Sequence, residues 1–436
     1  MNGEAEVLFE AARIRAHLPL YTDPLKGVFD YGPLPTRYYV LYAPLWPYLL
    51  SFVPTSAATI VARSVSTCAW LGALVGLARL RVPERRTAAA MAAAYGAGVF
   101  VIANFASSGR PDSIAVALAG VALGRSIKRG AVDVVAAALF ALAAWFKPNV
   151  IGLGVGAVLA SSLVTPVLDA GKRALGVAAG ALAVSVPLVW LLHAVSGGVW
   201  LEHLERSVGQ SMMLHHWWNQ LWRRALFLVP VLFTAWIGVR ERASPPPRIA
   251  FAAFASALVW SVVSIGKIGA ASNYWMEPAM GAVGVFAASP IRDMRPRAKV
   301  ALWTLGAFHA VWLAAASVGS VVDAFEALPA RQALILRAKD ACALGPTSVL
   351  FSDSSGAEYE GNGRIVSPGF QIEWLIFTGR FPAALRIADI ERPEARCVLV
   401  ESDLEHAFFS PDVRAALKRK FQLIDEGAEW HLYRAR

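Results

Sequence analysis

The sequence predicts a mostly α-helical, polytopic membrane protein that ends in a small α/β domain. Hydrophobic residues make up 56% of the 436 positions and charged residues only 17%, whereas soluble domains contain about 25% charged residues. Long apolar segments alternate with short basic clusters over residues 57–320. After about Asp323 the chain becomes charged and mixed, which indicates that a domain outside the bilayer follows the helical bundle.

Residues 1–56 are predicted to form an extracytoplasmic loop that carries interfacial helices. A helix is expected over Glu4–His17, because this stretch mixes apolar and charged residues without a proline. The apolar segment 38–54 contains three prolines and four tyrosines. Counting this segment as a span would invert the side of everything after it, so we predict a helix lying in the membrane interface, where amphipathic aromatic residues are stable.

Residues 57–320 are predicted to form a bundle of about ten spans, since a spanning helix needs roughly 17–25 apolar residues. The predicted spans are 57–78, 87–105, 111–127, 130–146, 149–167, 174–194, 223–239, 248–266, 274–290 and 299–320. Gly152-Leu-Gly-Val-Gly156 lies in the middle of one span with no strand before it. Small residues at this place predict a close contact between helices rather than a nucleotide-binding loop.

Basic residues cluster in every second loop, and this pattern predicts the orientation of the bundle. Five clusters hold 16 of the 41 basic residues: Arg79–Arg86, Arg125–Arg129, Lys172–Arg173, Arg240–Arg248 and Arg292–Lys299. Because the positive-inside rule places such loops in the cytoplasm, we expect a protein of the bacterial inner (plasma) membrane. Topology and anionic lipid then account for the net charge of +10 without a nucleic-acid partner.

This orientation places both ends of the chain outside the cytoplasm. The start Met-Asn-Gly-Glu-Ala-Glu has no signal peptide that would export it. We therefore expect that a first transmembrane helix is missing from this chain.

Residues 321–436 are predicted to form a small extracytoplasmic α/β domain, because apolar strand-like runs alternate with helical segments. Strands are expected at Ser348–Ser352, Cys397–Glu401, Phe421–Asp425 and Trp430–Tyr433, with helices at Phe325–Ala343 and Pro411–Arg419. Cys342 and Cys397 both fall in this domain. An extracytoplasmic location permits a disulfide between them, but spacing alone leaves the pairing open.

Three cationic residues occupy the ends of predicted helices on the outer side. Arg110 stands beside Asp112 in Ser108-Gly-Arg-Pro-Asp112, Lys147 precedes Pro148, and Lys267 precedes Asn273-Tyr274. Guanidinium and ammonium groups beside exposed backbone N–H groups bind anions, so the set predicts a pocket for a phosphate or diphosphate. Ordinary helix-start residues and snorkelling side chains remain the alternative.

Acidic residues of the first loop are candidates for a general base. Glu4, Glu6, Glu10, Asp23 and Asp30 precede the first predicted span, and partial burial would raise the pKa of such a carboxyl toward neutrality. The alternative is a solvated acidic helix. A further carboxyl, Glu277, lies inside a predicted span and needs a partner there. Lys267 or Arg110 is expected to supply it.

Other motifs restrict the possible functions. The sequence contains no GKS/T phosphate loop, no HExxH, no CxxC and no serine elbow, so ATP-driven transport and zinc proteolysis are unsupported. His215-His-Trp-Trp218 predicts an interfacial helix with tryptophan anchors in preference to a metal site. No metal ligands are assigned, and a divalent cation stays open as a cofactor.

Six short runs resemble, in the same order, the outer loops of GT-C glycosyltransferases. They are Gly3–Ile14, Pro19–Pro24, Tyr31–Pro35, Ser108–Asp112, Trp145–Pro148 and Asn273–Glu277. This group contains polytopic enzymes related to the protein mannosyltransferases and the aminoarabinose transferases, which use lipid-phosphate-linked sugars. The resemblance covers most of the membrane portion, and an outer α/β domain after the last span also suits the group.

The resemblance implies a glycosyltransferase that moves a hexose or pentose from a polyprenyl-phosphate (or -diphosphate) donor to a hydroxyl of a glycan, lipid or protein. Gly3 stands where the family has the Asp of an Asp-Glu pair, so Glu4 matches the catalytic carboxylate and Glu6 lies nearby. Arg110 and Lys147 match the family's residues at the donor phosphate, with Lys267 a weaker match. Further substrate contacts are expected from Asp23, Asp112, Asn273, Tyr274 and Glu277.

Two other functions stay open. A transporter or flippase for a lipid-linked or anionic substrate would use the same cationic cavity, although such proteins often show internal repeats and broken helices at the midplane. A scaffolding subunit would leave the carboxylates inert. Polar residues at the outer helix ends and the absence of an evident repeat favour the enzyme.

Overall fold

Helices dominate the computed structural model of the chain. It describes residues 2–29, 32, 34–40, 43–80, 108–164, 167–208, 212–223, 245–267, 272–288, 296, 300, 304, 311, 315, 332–345, 347–427 and 430–436. The helices up to residue 288 are α1 (Asn2–Arg15), α2 (Leu45–Ser51), α3 (Thr55–Ala78), α4 (Asp112–Arg129), α5 (Val134–Phe146), α6 (Gly152–Val164), α7 (Val167–Ser196), α8 (Val199–Val208), α9 (Leu214–Arg223), α10 (Pro245–Ser264) and α11 (Met276–Ala288). A short 3-10 helix, Ser272–Trp275, precedes α11.

The predicted class, a helical membrane protein with a small C-terminal sheet, is confirmed. Within the described residues, three helical stretches are long and apolar enough to cross a membrane: Thr55–Leu77, Ala170–Ser196 and Pro246–Ser264. Four other predicted spans form helices of 13 to 18 residues, which are α4, α5, α6 and α11. The predicted spans 87–105, 223–239 and 299–320 lie outside the described residues apart from single positions.

Close packing between α6 and α10 explains the glycines at the start of α6. A Cβ on Gly152 would lie 2.5 Å from the Cα of Ala257, and one on Gly156 would lie 2.1 Å from the carbonyl oxygen of Ala252. Backbone therefore meets backbone at this crossing. The predicted contact between helices is confirmed, and it gives the bundle a tightly packed centre just below the polar residues of the outer loops.

The predicted helix over 38–54 is wrong in length. Residues 34–40 are not helical, and α2 begins only at Leu45. Tyr38, Tyr39 and Val40 are buried because they lie against the C-terminal domain and against His203 of α8. Leu49 and Phe52, in the helical part of the segment and just after it, are 52% and 84% exposed. The protein therefore covers the start of the segment, and the interfacial position of its helical part stays a prediction.

The C-terminal domain contains a four-stranded sheet covered by helices. Its strands are β1 (Val349–Ser352), β2 (Ala395–Val400), β3 (Phe421–Glu426) and β4 (His431–Ala435), and its helices are α12 (Ser355–Asn362), α13 (Gly369–Phe377), α14 (Ala383–Glu391) and α15 (Pro411–Lys420). The spatial order is β1-β2-β4-β3, with β1 and β2 parallel and the other pairs antiparallel. The boundary predicted between residues 320 and 321 lies outside the described residues.

A disulfide links the segment before β1 to the sheet. Cys342, which follows the helical residues 332–341, is bonded to Cys397 on β2. The pairing that the sequence left open is therefore present. Both cysteines are buried in an apolar cluster with Leu350 and Leu432, so the bond ties the segment before the sheet to its centre.

The C-terminal domain is docked on the first loop by polar and apolar contacts. Arg37 forms a buried ion pair with Asp389 at 2.5 Å, and its backbone N–H donates to the Val366 carbonyl. The Gln371 amide donates to the Tyr39 carbonyl at 2.8 Å. An apolar cluster joins the same two regions and contains Phe9, Leu20, Tyr38, Val40 and Ile365. The first loop and the C-terminal domain therefore form one packed unit.

We expect Gly156→Ala to lower the stability of the protein by about 1–3 kcal/mol, because the added methyl group would overlap the backbone of α10. Gly72→Ala on α3 is the matched control, since a Cβ at Gly72 meets no atom within 4 Å. The control should leave stability unchanged or raise it slightly, as alanine favours helix. Thermal unfolding of the purified protein in detergent measures both changes. Equal midpoints for the two variants would contradict the proposed close contact.

Candidate active site

Most of the site residues predicted from sequence converge where one set of ends of the membrane helices meets the first loop. Glu4 and Glu6 come from α1, Arg110 and Asp112 from the start of α4, and Lys147 from the end of α5. Asn273 and Tyr274 come from the 3-10 helix before α11, and Glu277 from its first turn. Local folding explains this placement, because each of these polar residues stands at a helix end where backbone groups need partners.

Glu4 is held as a paired carboxylate. Its two oxygens each accept from the Arg63 guanidinium at 2.8 Å, and the backbone N–H of Gly109 donates to one of them at 3.0 Å. A bidentate pair of this kind is a strong, directional contact. Glu4 therefore joins α1, α3 and the segment before α4, and its lone pairs are largely occupied.

Glu6 is a buried carboxyl that lies next to cations. It is 5% exposed, and its Oε1 accepts from the Ser355 hydroxyl at 3.0 Å. Burial raises the pKa of Glu6 to about 7, although Arg110, the Ser355 hydrogen bond and Lys147 act in the opposite direction. A carboxyl with a pKa near neutrality is suited to accept a proton in general base catalysis.

Glu10 lies one turn after Glu6 on the same helix but has a different environment. It is fully buried and accepts from the Tyr38 hydroxyl. Burial raises the pKa of Glu10 well above its usual value, and the charge of Glu6 adds to this increase. The described contacts of Glu10 therefore belong to the packing of the first loop.

The Arg110 guanidinium lies directly against the backbone of Gly3. A Cβ on Gly3 would lie 2.2 Å from Arg110 Nη2 and 2.5 Å from Nε, so a larger residue at position 3 would displace the guanidinium. The positive charge of Arg110 acts on both Glu6 and Asp112. A residue larger than glycine at position 3 would therefore require the Arg110 side chain to move.

Lys147 and Asp112 form the centre of a polar cluster under Arg110. Their side chains are 2.8 Å apart, and the Asn273 amide donates to the same Asp112 oxygen at 2.6 Å. The Asn149 amide donates to the Tyr274 hydroxyl at 2.5 Å. The cluster lines a small cavity together with Glu277, so residues from three outer loops share one chamber.

Glu277 has a different partner from the predicted one. Its carboxylate accepts from the backbone N–H of Leu153 at 2.7 Å, at the first turn of α6. Among the described residues, Glu277 forms no ion pair with either of the candidate partners, Lys267 and Arg110. The backbone N–H groups at the start of α6 are free to donate, and they face the Glu277 carboxyl.

Lys267 and Asp23 lie at the edge of this arrangement. Lys267 pairs through its backbone with Met212 and is near enough to Lys147 for the two positive charges to repel. Asp23 accepts from the backbone N–H of Leu25 and contacts Lys26, so its described contacts belong to its own turn. His215 and His216 lie on α9, and in the described part of the chain no three His, Cys, Asp or Glu side chains are grouped to hold a metal.

Three residues of the site were missed by the sequence analysis. Arg63 is a charge inside the predicted span 57–78, which is itself a signal of a functional or paired residue. Asn149 stands two residues after Lys147, and that position close to a predicted cation was its only signal. Ser355 had no signal in the sequence, because its importance depends on a contact with Glu6, 349 positions away.

Two apolar cavities lie beside the polar cluster. One, of about 220 Å³, is lined by Tyr21, Val40, Ala43, Pro44, Ala144, Trp145, Pro148, Leu192, Trp200, His203 and Leu204. The other, of about 350 Å³, lies between α5, α6 and α7 and is open on one side. Ala144 lines both cavities, and Trp145 and Pro148 flank Lys147. An apolar surface therefore leads from between the helices to the cationic end of α5.

The chain has the fold of a solved membrane protein. It matches the crystal structures of ArnT from Cupriavidus metallidurans in the apo state and bound to undecaprenyl phosphate, each with a TM-score of 0.62 and 15% sequence identity. Each match covers 99% of this chain and 93% of ArnT. No protein-family model and no curated protein matches the sequence. The predicted likeness to the GT-C glycosyltransferases is confirmed as a likeness of fold.

We expect Glu4→Gln to destabilise the protein by about 1–3 kcal/mol, because the amide cannot accept both guanidinium hydrogen bonds and leaves a polar group unsatisfied. Glu6→Gln should leave stability unchanged or raise it, since the carboxyl is already strained by burial. Thermal unfolding in detergent compares the two. A loss of the same size in both variants would show that Glu4 and Glu6 do not differ in role.

Proposed function

We propose that this chain is a glycosyltransferase that moves a sugar from a polyprenyl-phosphate-linked donor to a hydroxyl acceptor at the extracytoplasmic face. The observation that carries the proposal is the burial of Glu6 beside Arg110 and Lys147, at the outer ends of the helices. The shared fold supports it, because ArnT was solved with undecaprenyl phosphate bound. The alternation of basic loops supports the orientation, with this chamber and the C-terminal domain outside the cytoplasm.

Glu6 is proposed as the general base in preference to Glu4. The acceptor oxygen attacks the anomeric carbon while its proton passes to a Glu6 carboxylate oxygen. Glu4 is already engaged by Arg63 and the Gly109 N–H. We therefore assign Glu4 to holding α1 in place, so that Glu6, half a turn further on, faces the cations.

Arg110 and Lys147 are proposed to bind the donor phosphate. As the bond between the anomeric carbon and the phosphate oxygen breaks, the lipid phosphate leaves with the electron pair. Fixed cations stabilise the charge that develops on this group. Asp112 and Asn273 hold Lys147 in position through the 2.8 Å ion pair and the 2.6 Å amide contact. The polar lining of the proposed phosphate site also includes Tyr274, Asn149 and the more distant Lys267.

The apolar cavities are proposed to hold the lipid tail of the donor. The open groove between α5, α6 and α7 continues through Ala144 into the cavity lined by Trp145 and Trp200. A prenyl chain lying there would place its phosphate at Lys147. This arrangement suits transfer better than transport, because the polar chamber adjoins a buried carboxyl with a pKa near 7.

We expect Glu6→Gln to lower the transfer rate by about 10²–10⁴-fold, since the amide cannot accept the acceptor proton. Glu10→Gln is the matched control on the same helix, because Glu10 is not assigned to the base or to the phosphate site and glutamine keeps an acceptor for the Tyr38 hydroxyl. The assay follows transfer from a polyprenyl-phosphate sugar in reconstituted vesicles.

The wild-type rate should also fall about tenfold per pH unit below about pH 7, because protonation of Glu6 removes the base. This limb should be absent from the residual activity of Glu6→Gln. A scaffold or flippase would be indicated if Glu6→Gln kept the wild-type transfer rate.

We expect Arg110→Ala to abolish transfer while leaving membrane insertion intact, because the leaving phosphate loses its main counter-charge. Arg125→Ala is the control, since Arg125 pairs with Asp133 at the other end of α4. Transfer and the binding of polyprenyl phosphate to the detergent-solubilised protein are measured together. Unchanged turnover in Arg110→Ala would remove Arg110 from the donor site.

A further inference from the structure

The C-terminal domain reaches into the candidate active site through one hydroxyl group. Ser355 Oγ donates to Glu6 Oε1 at 3.0 Å, and Ser355 is 2% exposed. It is the only hydrogen bond to the Glu6 carboxylate among the described residues. A domain that was expected only to follow the membrane bundle therefore contacts the carboxyl on which the proposed transfer depends.

Ser355 is held in place by its own domain. It is the first residue of α12, and the loop before it is closed by the Ser354 N–H, which donates to Ser352 Oγ at 3.1 Å. Glu358, in the first turn of α12, accepts from the backbone N–H groups of Ser352, Val366 and Ser367. These hydrogen bonds restrict the backbone at the start of α12. They therefore also restrict the position of the Ser355 hydroxyl.

The domain is in turn held against α1. The buried Arg37–Asp389 pair and the Gln371–Tyr39 hydrogen bond lie in the same interface as Ser355 and Glu6. Ile365, just after α12, packs with Phe9 of α1 in a fully buried cluster. These contacts restrict movement of the C-terminal domain relative to α1. The distance between Ser355 and Glu6 is therefore set by the docking of the whole domain.

We infer that Ser355 is a positioning residue for the Glu6 carboxylate, so that the C-terminal domain completes the catalytic site instead of merely covering it. This inference rests on the proposed role of Glu6. The hydroxyl engages one carboxylate oxygen and so fixes the plane of the group, which leaves the other oxygen to receive the acceptor proton. The positive end of the α12 dipole also lies beside Glu6 and favours its ionised form.

The charged groups around Glu6 act in both directions. Arg110 and Lys147, from the starts and ends of membrane helices, favour the carboxylate, as Ser355 does. Burial opposes it and raises the pKa of Glu6. Removing the Ser355 hydroxyl leaves the cations in place and takes away one stabilising contact. The proton affinity of Glu6 should therefore rise.

The test is an infrared pH titration of the full-length protein in detergent, in which the difference between wild type and Glu6→Gln assigns the carboxyl band of Glu6. Ser355→Ala should move the titration midpoint of Glu6 upward by about one to two pH units, the size expected for one hydrogen bond to a charged group. Ser355→Thr, which keeps the hydroxyl, should restore it toward the wild-type value. Thr378→Val is the control, because that hydroxyl bonds only within its own helix region of the domain.

In vesicles the acid limb of the transfer rate should move with the midpoint, so that Ser355→Ala loses about tenfold or more of its rate near pH 6 and recovers at alkaline pH. A Glu6 midpoint that does not move in Ser355→Ala overturns the inference, whatever the transfer assay gives. Transfer that survives Glu6→Gln overturns the proposed function instead. If Ser355→Ala fails to fold, Ser355→Cys, a weak donor of similar size, should give a smaller upward shift, and no shift in that variant also overturns the inference.

Discussion

The burial of charge at the junction between the helical bundle and the C-terminal domain is the constraint on which this structure depends. A carboxyl or a guanidinium can be removed from water only if it meets a partner, and the cost of an unmet one is several kcal/mol. Three buried or half-buried ion pairs in this region meet that requirement. Arg63 meets Glu4, Lys147 meets Asp112, and Arg37 meets Asp389. These pairs define how α1, the membrane helices and the C-terminal domain lie against one another.

Glu6 is the exception to this pattern, and its proposed role as the base follows from that. Among the described residues it has no bidentate partner and receives a single hydroxyl, and its pKa lies near neutrality. Glu4, two residues earlier on the same helix, has the opposite environment. One short helix thus carries two carboxyls in different environments, because different faces of α1 meet different neighbours. The family resemblance indicates that the candidate base lies on α1. Only the three-dimensional environment distinguishes Glu4 from Glu6.

The sequence predicted local structure and the grouping of loop residues better than it predicted the partners of individual side chains. The strands of the C-terminal domain and the helix contact at Gly152–Gly156 could be predicted because apolar period and residue size are local signals. Arg110, Asp112, Lys147 and Asn273 could be grouped because alternate loops share one side of a membrane. The partner of Glu277 could not be predicted from sequence. It depends on how α6 packs against α11, because this packing brings the free N–H groups of α6 to the carboxyl. Ser355 could not be predicted as a site residue, because nothing in the neighbouring sequence distinguishes it from other serines.

The contact between α1 and α12 has a consequence for how the protein is made. The two segments are about 350 positions apart in the chain, and contacts of such long range form late in folding. Because α1 is synthesised long before α12, its polar groups reach these neighbours only after about 350 further positions have followed. During biogenesis, the first loop must therefore stay unpacked until α12 has been synthesised. A chain that stops before α12 would leave the Glu6 carboxyl without the Ser355 hydroxyl.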